Sequence, residues 1–252
     1  DEITRHAITK LSYLHFPSTK KAAKNIISMG ENPNNVYLTG CPSGDYIKKI
    51  KVKKNIINFN KIGIGYNVDL KKKFLLIIYH PNTSNLSKER ENIQNLISAI
   101  HHFDMPTIWL WPNIDAGSDI ISKELRIFRE LYKDNKFKFI KNLEIEDFQI
   151  LLNLCECAIG NSSSFVRDSS FTGTPVLLVG DRQKQRERSN NVTEININKK
   201  LIIKSLKKIF SQKTKFKKSK LYGSGNASIK IRKILENLKK LDEKKFYQNK
   251  KT

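Results

Sequence analysis

Cysteine is scarce in this 252-residue chain: Cys41, Cys155 and Cys157 are all it has. An odd count without regular spacing argues against a disulfide framework and favours a reducing compartment, so a cytoplasmic location is expected. Cys155-Glu156-Cys157 lacks the CxxC spacing, and no second pair is present to complete a zinc site. Neither a metal nor another cofactor is therefore expected, and the two thiols read as small side chains packed beside a strand. Long apolar runs are also missing. None approaches the roughly 20 residues that span a bilayer, and no secretory signal pattern is present, so no membrane partner is expected. Acidic residues are outnumbered, 24 Asp+Glu against 47 Lys+Arg, for a formal net charge of +23. Such an excess can mark a nucleic-acid binder. Here it is mostly lysine, mixed with many Asn and Ile as A/T-rich codons would give. Its densest clusters, Lys48–Lys54, Lys71–Lys73, Lys213–Lys220 and Lys239–Lys251, lack the interleaved aromatics of a base-stacking surface, so no nucleic-acid partner is expected.

What is present is enough apolar content, 38 %, for a packed core. The chain opens on Asp1 rather than Met, and its first helical pattern has no leading strand, so a piece of a longer protein is expected. Arg5 to Ser12 reads as a helix. Tyr13–Phe16 reads as a short strand, and a helix capped by Ser18 or Thr19 runs to about Met29, where Gly30 ends it. Val36–Thr39 reads as another short strand, which completes a βαβ unit. Residues 51–73 are polar and irregular and read as a linker with an adjoining loop. A regular alternation follows: strands at Phe74–Tyr79, Thr107–Trp111, Phe137–Ile140, Cys157–Ile159, Val176–Val179 and Val192–Ile197, with helical periodicity in the intervals and over Lys199–Phe210. The apolar run FLLIIY suits a strand covered on both faces. The fold class is α/β, a Rossmann-like doubly wound parallel sheet. The expected domains are 1–50, the end of one Rossmann-like domain; 51–73, the linker; 74–225, a second and complete one; and 226–252, a C-terminal helix and basic tail.

Ligands of such sheets bind beyond the carboxyl ends of the strands. Four strand ends here carry small or polar segments: His80-Pro81-Asn82-Thr83, Pro112 to Ser118, Gly160-Asn161-Ser162-Ser163-Ser164, and Gly180-Asp181-Arg182-Gln183. The serine-rich turn offers backbone N–H groups and hydroxyls at a helix start, and Arg182, Arg186 and Arg188 add fixed positive charge nearby, a combination that suits a diphosphate. Blander readings stand beside this one. Ser162 and Ser163 could cap the following helix, His80 could be a packed loop histidine, and Arg182 and Arg186 could be surface charge.

The ordered motifs DEITRHAITKLSYLHFPST, LTGCPSGDYI, YHPNTSN, WPNIDAGS, AIGNSSSFVRDSSFTGTPVLLVGDRQ and YGSGNAS resemble the hydrolysing UDP-N-acetylglucosamine 2-epimerases almost end to end. The resemblance implies a GT-B-like two-domain fold of which this chain supplies the C-terminal half, and a UDP-sugar substrate. It also implies a reaction that releases UDP and N-acetylmannosamine or a related 2-epimerised amino sugar, and a homo-oligomer at full length. It places Asp1, Arg5 and His80 among catalytic groups. His6, Asn113, Asp115, Ser162, Ser163, Asp168 and Arg182 fall among substrate-binding groups. The family's other catalytic acids lie upstream of Asp1, so this chain alone is not expected to turn over substrate. A non-hydrolysing epimerase, a GT-B glycosyltransferase and an inactive UDP-binding piece are the alternatives. Three positions depart from the family pattern: Phe165 stands where glycine is usual and would crowd the helix start, Asp168 stands for a glutamate that contacts the ribose, and Gln185 stands for a glycine.

Overall fold

The computed structural model describes residues 2–50, 61–83, 85–211, 216–238, 244, 245 and 247. They form two compact units, one from described residues within 1–49 and 220–252, the other from those within 50–219. The sequence boundary expected after residue 225 thus differs from the edge of the second unit at Ser219.

In the first unit, α1 (Glu2–Leu11), α2 (Lys20–Ser28) and α3 (Ser43–Lys49) precede a final helix. Thr19 caps α2 by accepting the Ala22 N–H. The two short strands expected on either side of α2 reduce to a single parallel bridge, His15 to Val36. Pro17 has no N–H to continue the ladder, which accounts for its brevity. Asp45, on α3, accepts the N–H groups of Ala227 at 2.8 Å and Ser228 at 2.6 Å, so a residue of the LTGCPSGDYI motif caps the helix that YGSGNAS opens.

The organising charge of this unit is Glu31, only 2 % exposed. Its carboxylate meets Lys10 at 2.8 Å, His15 Nε2 at 3.0 Å and Lys244 at 2.7 Å. Lys244 also donates to the carbonyls of Thr9, Lys10 and Ser12, closing the end of α1. Burial alone would raise the Glu31 carboxyl, but the hydrogen bonds from Lys10, Lys244 and His15 outweigh it and hold the group at about 2 against an ordinary 4.5.

The second unit is a seven-stranded sheet. Its strands are β1 (Ile64–Gly65), β2 (Leu75–Ile78), β3 (Thr107–Leu110), β4 (Phe137–Ile140), β5 (Cys157–Gly160), β6 (Val176–Val179) and β7 (Val192–Ile195), in the order β1-β4-β3-β2-β5-β6-β7. All neighbours are parallel except β1 and β4. Strand β1 lies in the stretch read as linker and loop, so that reading is corrected at residues 64–65; residues 51–60 of that stretch lie outside the described residues. Alternation along the strands splits the core. Leu75, Ile77, Tyr79, Trp109, Phe137, Phe139, Ile159, Leu177 and Val179 share one apolar cluster with α4 (Glu89–His101), α5 (Ser118–Leu131) and α9 (Lys199–Ser211). The opposite face carries α6 (Ile145–Leu154), α7 (Ser163–Arg167) and α8 (Ser169–Thr172). The last helix, α10 (Ala227–Glu236), belongs to the first unit.

The order places β2 beside β5 at the point where the winding reverses, because the chain moves outward through β3 and β4 and then returns to the other side of β2. In a sheet of this kind the ligand crevice lies there, at the carboxyl ends.

Because Glu31 is held low, its contribution to stability is complete above the unfolded value of 4.5 and is lost as pH falls through about 2. Hydrogen exchange in the first unit is expected to accelerate over that window. Glu31→Gln should remove on the order of 2–3 kcal/mol at neutral pH and abolish the acid dependence. Unchanged exchange in the variant would refute the hub role.

Candidate active site at the switch point

The end of β5 is shaped by backbone contact. Gly160 pairs with Ile78 and takes φ +144°, and a Cβ there would stand 1.8 Å from the Ile78 carbonyl oxygen. Only glycine fits. Asn161 follows, 2 % exposed, with its backbone N–H on the same carbonyl at 3.2 Å. Its side chain closes on the end of β2: Oδ1 accepts the His80 N–H at 2.8 Å and Nδ2 donates to the His80 carbonyl at 2.7 Å. The Asn161 carbonyl in turn accepts Nε2 of Gln183 at 3.1 Å. Three of the four polar strand ends are thus tied together through two amide side chains, those of Asn161 and Gln183.

His80 is 6 % exposed. Its Nδ1 accepts the Asn113 N–H in a long 3.4 Å bond, which joins the loop after β3 to the same cluster. A backbone N–H can only donate, so the ring proton belongs on Nε2. Burial pushes the imidazole down, the Arg182 guanidinium pushes it further, and the Asp115 carboxylate partly opposes them; the result is about 4, against an ordinary 6.5. His80 is therefore a neutral Nε2–H donor at physiological pH.

Asp115 and Arg182 face each other at 3.6 Å, each partly exposed. Asn82 donates to Asp181 at 2.8 Å, binding the loops after β2 and β6. A cleft of 340 Å³ beside these strand ends is lined by Asn82, Glu89, Asn161, Asp181, Arg182 and Asn196, among others. Arg188 is held in place rather than loose on the surface: it pairs with Glu194 at 2.7 Å and donates to the carbonyls of Gln183 and Lys184.

The serine turn takes a form the sequence did not foretell. The helix expected after it is two short pieces, α7 and α8, that meet at Asp168. Ser162 precedes α7 in extended conformation without capping it; its hydroxyl is 2.7 Å from that of Ser164. Ser163 begins α7 and is half-buried. The hydroxyls of Ser169 and Ser170 bond back to the carbonyls of Phe165 and Arg167, a habit that interrupts helices. Phe165 does not crowd the start: it is fully buried and stacks on Phe148 at 6.4 Å. Asp168 is 2 % exposed and has both oxygens engaged, by Arg167 Nε at 2.6 Å and Gln149 Nε2 at 2.9 Å.

His80, Asn113, Asp115, Ser162, Ser163 and Arg182 all stand at the strand ends of the second unit. Arg5 and His6 lie on α1 of the first, both exposed, and Asp1 lies outside the described residues. Sequence reasoning missed Asn161, Gln183, Gln149 and Arg167 as members of this network, since a single Asn or Gln in a turn carries no spacing signal. Among the described residues no cluster of His, Cys, Asp or Glu is arranged to hold a metal ion, and no helix is long and apolar enough to cross a membrane.

A family model described as UDP-N-acetylglucosamine 2-epimerase matches residues 1–236. The chain belongs to that family. It is 32 % identical, over 94 % of its length, to a hydrolysing UDP-N,N'-diacetylbacillosamine 2-epimerase of Legionella pneumophila. It is 30 % identical, over 98 %, to polysialic acid biosynthesis protein P7 of Escherichia coli. It spans 61 % and 63 % of those relatives. The fold is shared with the UDP-GlcNAc 2-epimerase of Methanocaldococcus jannaschii solved with UDP-GlcNAc and UDP (TM-score 0.68, 20 % identity, 90 % of this chain and 62 % of that one). It is shared equally with the Neisseria meningitidis enzyme bound to UDP-GlcNAc (TM-score 0.69, 18 % identity, 91 % of this chain and 63 % of that one). The second unit is thus a Rossmann-like sheet of the GT-B kind.

An NMR titration should find the His80 ring neutral and its carbon-bound proton shifts flat between about pH 5 and 8, with protonation only near 4. A midpoint at the ordinary 6.5 would show that the ring is solvated and the site is not built as described.

Proposed function

We propose that this chain forms part of a hydrolysing UDP-sugar 2-epimerase. Its product would be UDP and N-acetylmannosamine or a related 2-epimerised amino sugar for sialic-acid-type biosynthesis. The observation that carries the reading is the buried, neutral His80 donor set beside Arg182 and the Ser162–Ser163 turn at the switch point. The hydrolysing outcome and the amino-sugar substrate are supported by the likeness to the hydrolysing UDP-N,N'-diacetylbacillosamine 2-epimerase of Legionella pneumophila, and the sialic-acid-type role by the likeness to the polysialic acid biosynthesis protein P7 of Escherichia coli. A cytoplasmic, homo-oligomeric enzyme that uses no cofactor, membrane or nucleic acid completes the proposal.

In the proposed reaction the C2 proton is lost to a base while the C1–O bond breaks. A C1=C2 double bond forms, and the bonding pair leaves on the diphosphate. Charge grows on the departing oxygen, and a neutral Nε2–H can stabilise it without first giving up a proton at neutral pH. Arg182, now paired with Asp115, supplies fixed positive charge to the diphosphate. Serine hydroxyls and the N–H groups of the turn donate hydrogen bonds to its oxygens. Water then adds across the double bond, its hydroxyl to C1 and a proton to the opposite face of C2.

Three measurements check this. By calorimetry, Ser162→Ala with Ser163→Ala should weaken UDP binding to this chain by roughly a hundred- to ten-thousandfold, the loss expected for two charge-assisted hydrogen bonds of about 1.5–3 kcal/mol each. Equal affinity would remove the turn from the site. In an enzyme of full family length, His80→Ala should lower kcat by roughly ten- to a thousandfold, with the melting temperature little changed. A fall in melting temperature at constant kcat would make His80 a packing residue. Product analysis sets the reaction: free sugar supports hydrolysis, while a returned UDP-sugar epimer or transfer to an acceptor would overturn it.

A further inference from the structure

We infer that Asn161 is a positioning residue that sets the placement of the His80 ring, with Gln183 as its support; the inference rests on the role proposed for His80. Histidines at strand ends ordinarily move with their loop, because the ladder that fixes the backbone has stopped. Here the ladder is continued by a side chain. The Asn161 amide offers one acceptor and one donor in a plane, and it meets the N–H and C=O of His80 at 2.8 and 2.7 Å, as the next strand's backbone would.

The amide orientation admits no alternative. The His80 N–H must meet the oxygen and the His80 carbonyl must meet the nitrogen, so a flipped amide would lose both bonds. Its own placement is fixed from two sides. The backbone N–H is held by the Ile78 carbonyl at 3.2 Å, at the register that Gly160 permits, and the carbonyl is held by Gln183 at 3.1 Å. Gln183 is only 6 % exposed and follows Arg182 directly, so the guanidinium and the imidazole hang from one network. With the His80 backbone fixed, Nδ1 reaches the Asn113 N–H, which leaves the ring proton on Nε2. The Asn113 bond is long and weak, so it cannot orient the ring unless the backbone beneath is already held.

The decisive substitution is Asn161→Asp, which keeps shape but turns the donor facing the His80 carbonyl into a second acceptor. Asn161→Ala removes both bonds. Nitrogen-15 spectra of the imidazole read the tautomer in this chain directly, with no turnover required. The parent should show the proton on Nε2. Both variants should show a mixture of tautomers and a His80 titration midpoint at least one pH unit higher than the parent's. In the full-length enzyme, kcat should fall by roughly ten- to a hundredfold while KM changes by less than about threefold. A lower melting temperature with an unchanged tautomer and midpoint would overturn the inference, leaving Asn161 a strut for the loop. If neither variant folds, Gln183→Met removes only the donor to Asn161 and should shift the same signals in the same direction; no shift would overturn it as well. A parent enzyme that epimerises nothing would defeat the proposed function, yet the tautomer result would stand, so the two failures are told apart.

Discussion

Everything at the carboxyl edge of the sheet depends on how close β5 comes to β2. Parallel strands can exchange hydrogen bonds only while their backbones stay within reach, and at the last pair, Ile78 and Gly160, the approach leaves no room for a Cβ. That contact delivers Asn161 to the end of β2, where a side chain can replace the missing strand. A larger residue at position 160 would force the strands apart by more than an amide can bridge. The site is therefore built from the sheet outward: glycine allows the approach, asparagine converts it into a hold on His80, and glutamine transmits the hold to the loop of Arg182.

Electrostatics within that frame run against the character of the whole chain. A protein of net charge +23 could have attracted an anion with charge alone. The site instead keeps one histidine neutral and one arginine paired. Burial and Arg182 both disfavour a proton on His80, and Asp115 only partly compensates. The consequence is a donor whose protonation state is indifferent to physiological pH. The Asp115–Arg182 pair, at 3.6 Å and partly exposed, is weak, as the diphosphate contact proposed for Arg182 would require.

The parallel strands from β2 onward and the helices α4, α5, α6 and α9 were legible because buried strands and amphipathic helices leave opposite periodicities in the sequence. Strand β1 was not. Ile64 and Gly65 are exposed, so no apolar pattern announces them, and their pairing depends on a backbone approach at Gly65, where a Cβ would lie 2.3 Å from the Phe137 carbonyl oxygen. The bridge at His15 was overread as two strands for a related reason: β-branched and aromatic residues fit an extended chain whether or not a partner follows. In the candidate site the charged and hydroxyl-bearing members were visible, since each follows an apolar run. The amides that hold them were not, because an asparagine in a turn and an asparagine serving as a strand surrogate look alike until the partner strand is known.

Asp168 shows how a position that departs from a family pattern is also redirected by its environment. The side chain is one methylene shorter than the glutamate that the resemblance associates with ribose. Shortening draws the carboxylate inward, where Arg167 and Gln149 take both oxygens and only 2 % of the residue remains exposed. A ribose hydroxyl would have to share an acceptor already bound to a guanidinium, and would gain less than from a free carboxylate. The same two bonds brace the junction of α7 and α8, directly behind the serine turn. In this chain the carboxylate thus acts on the crevice through the backbone it holds.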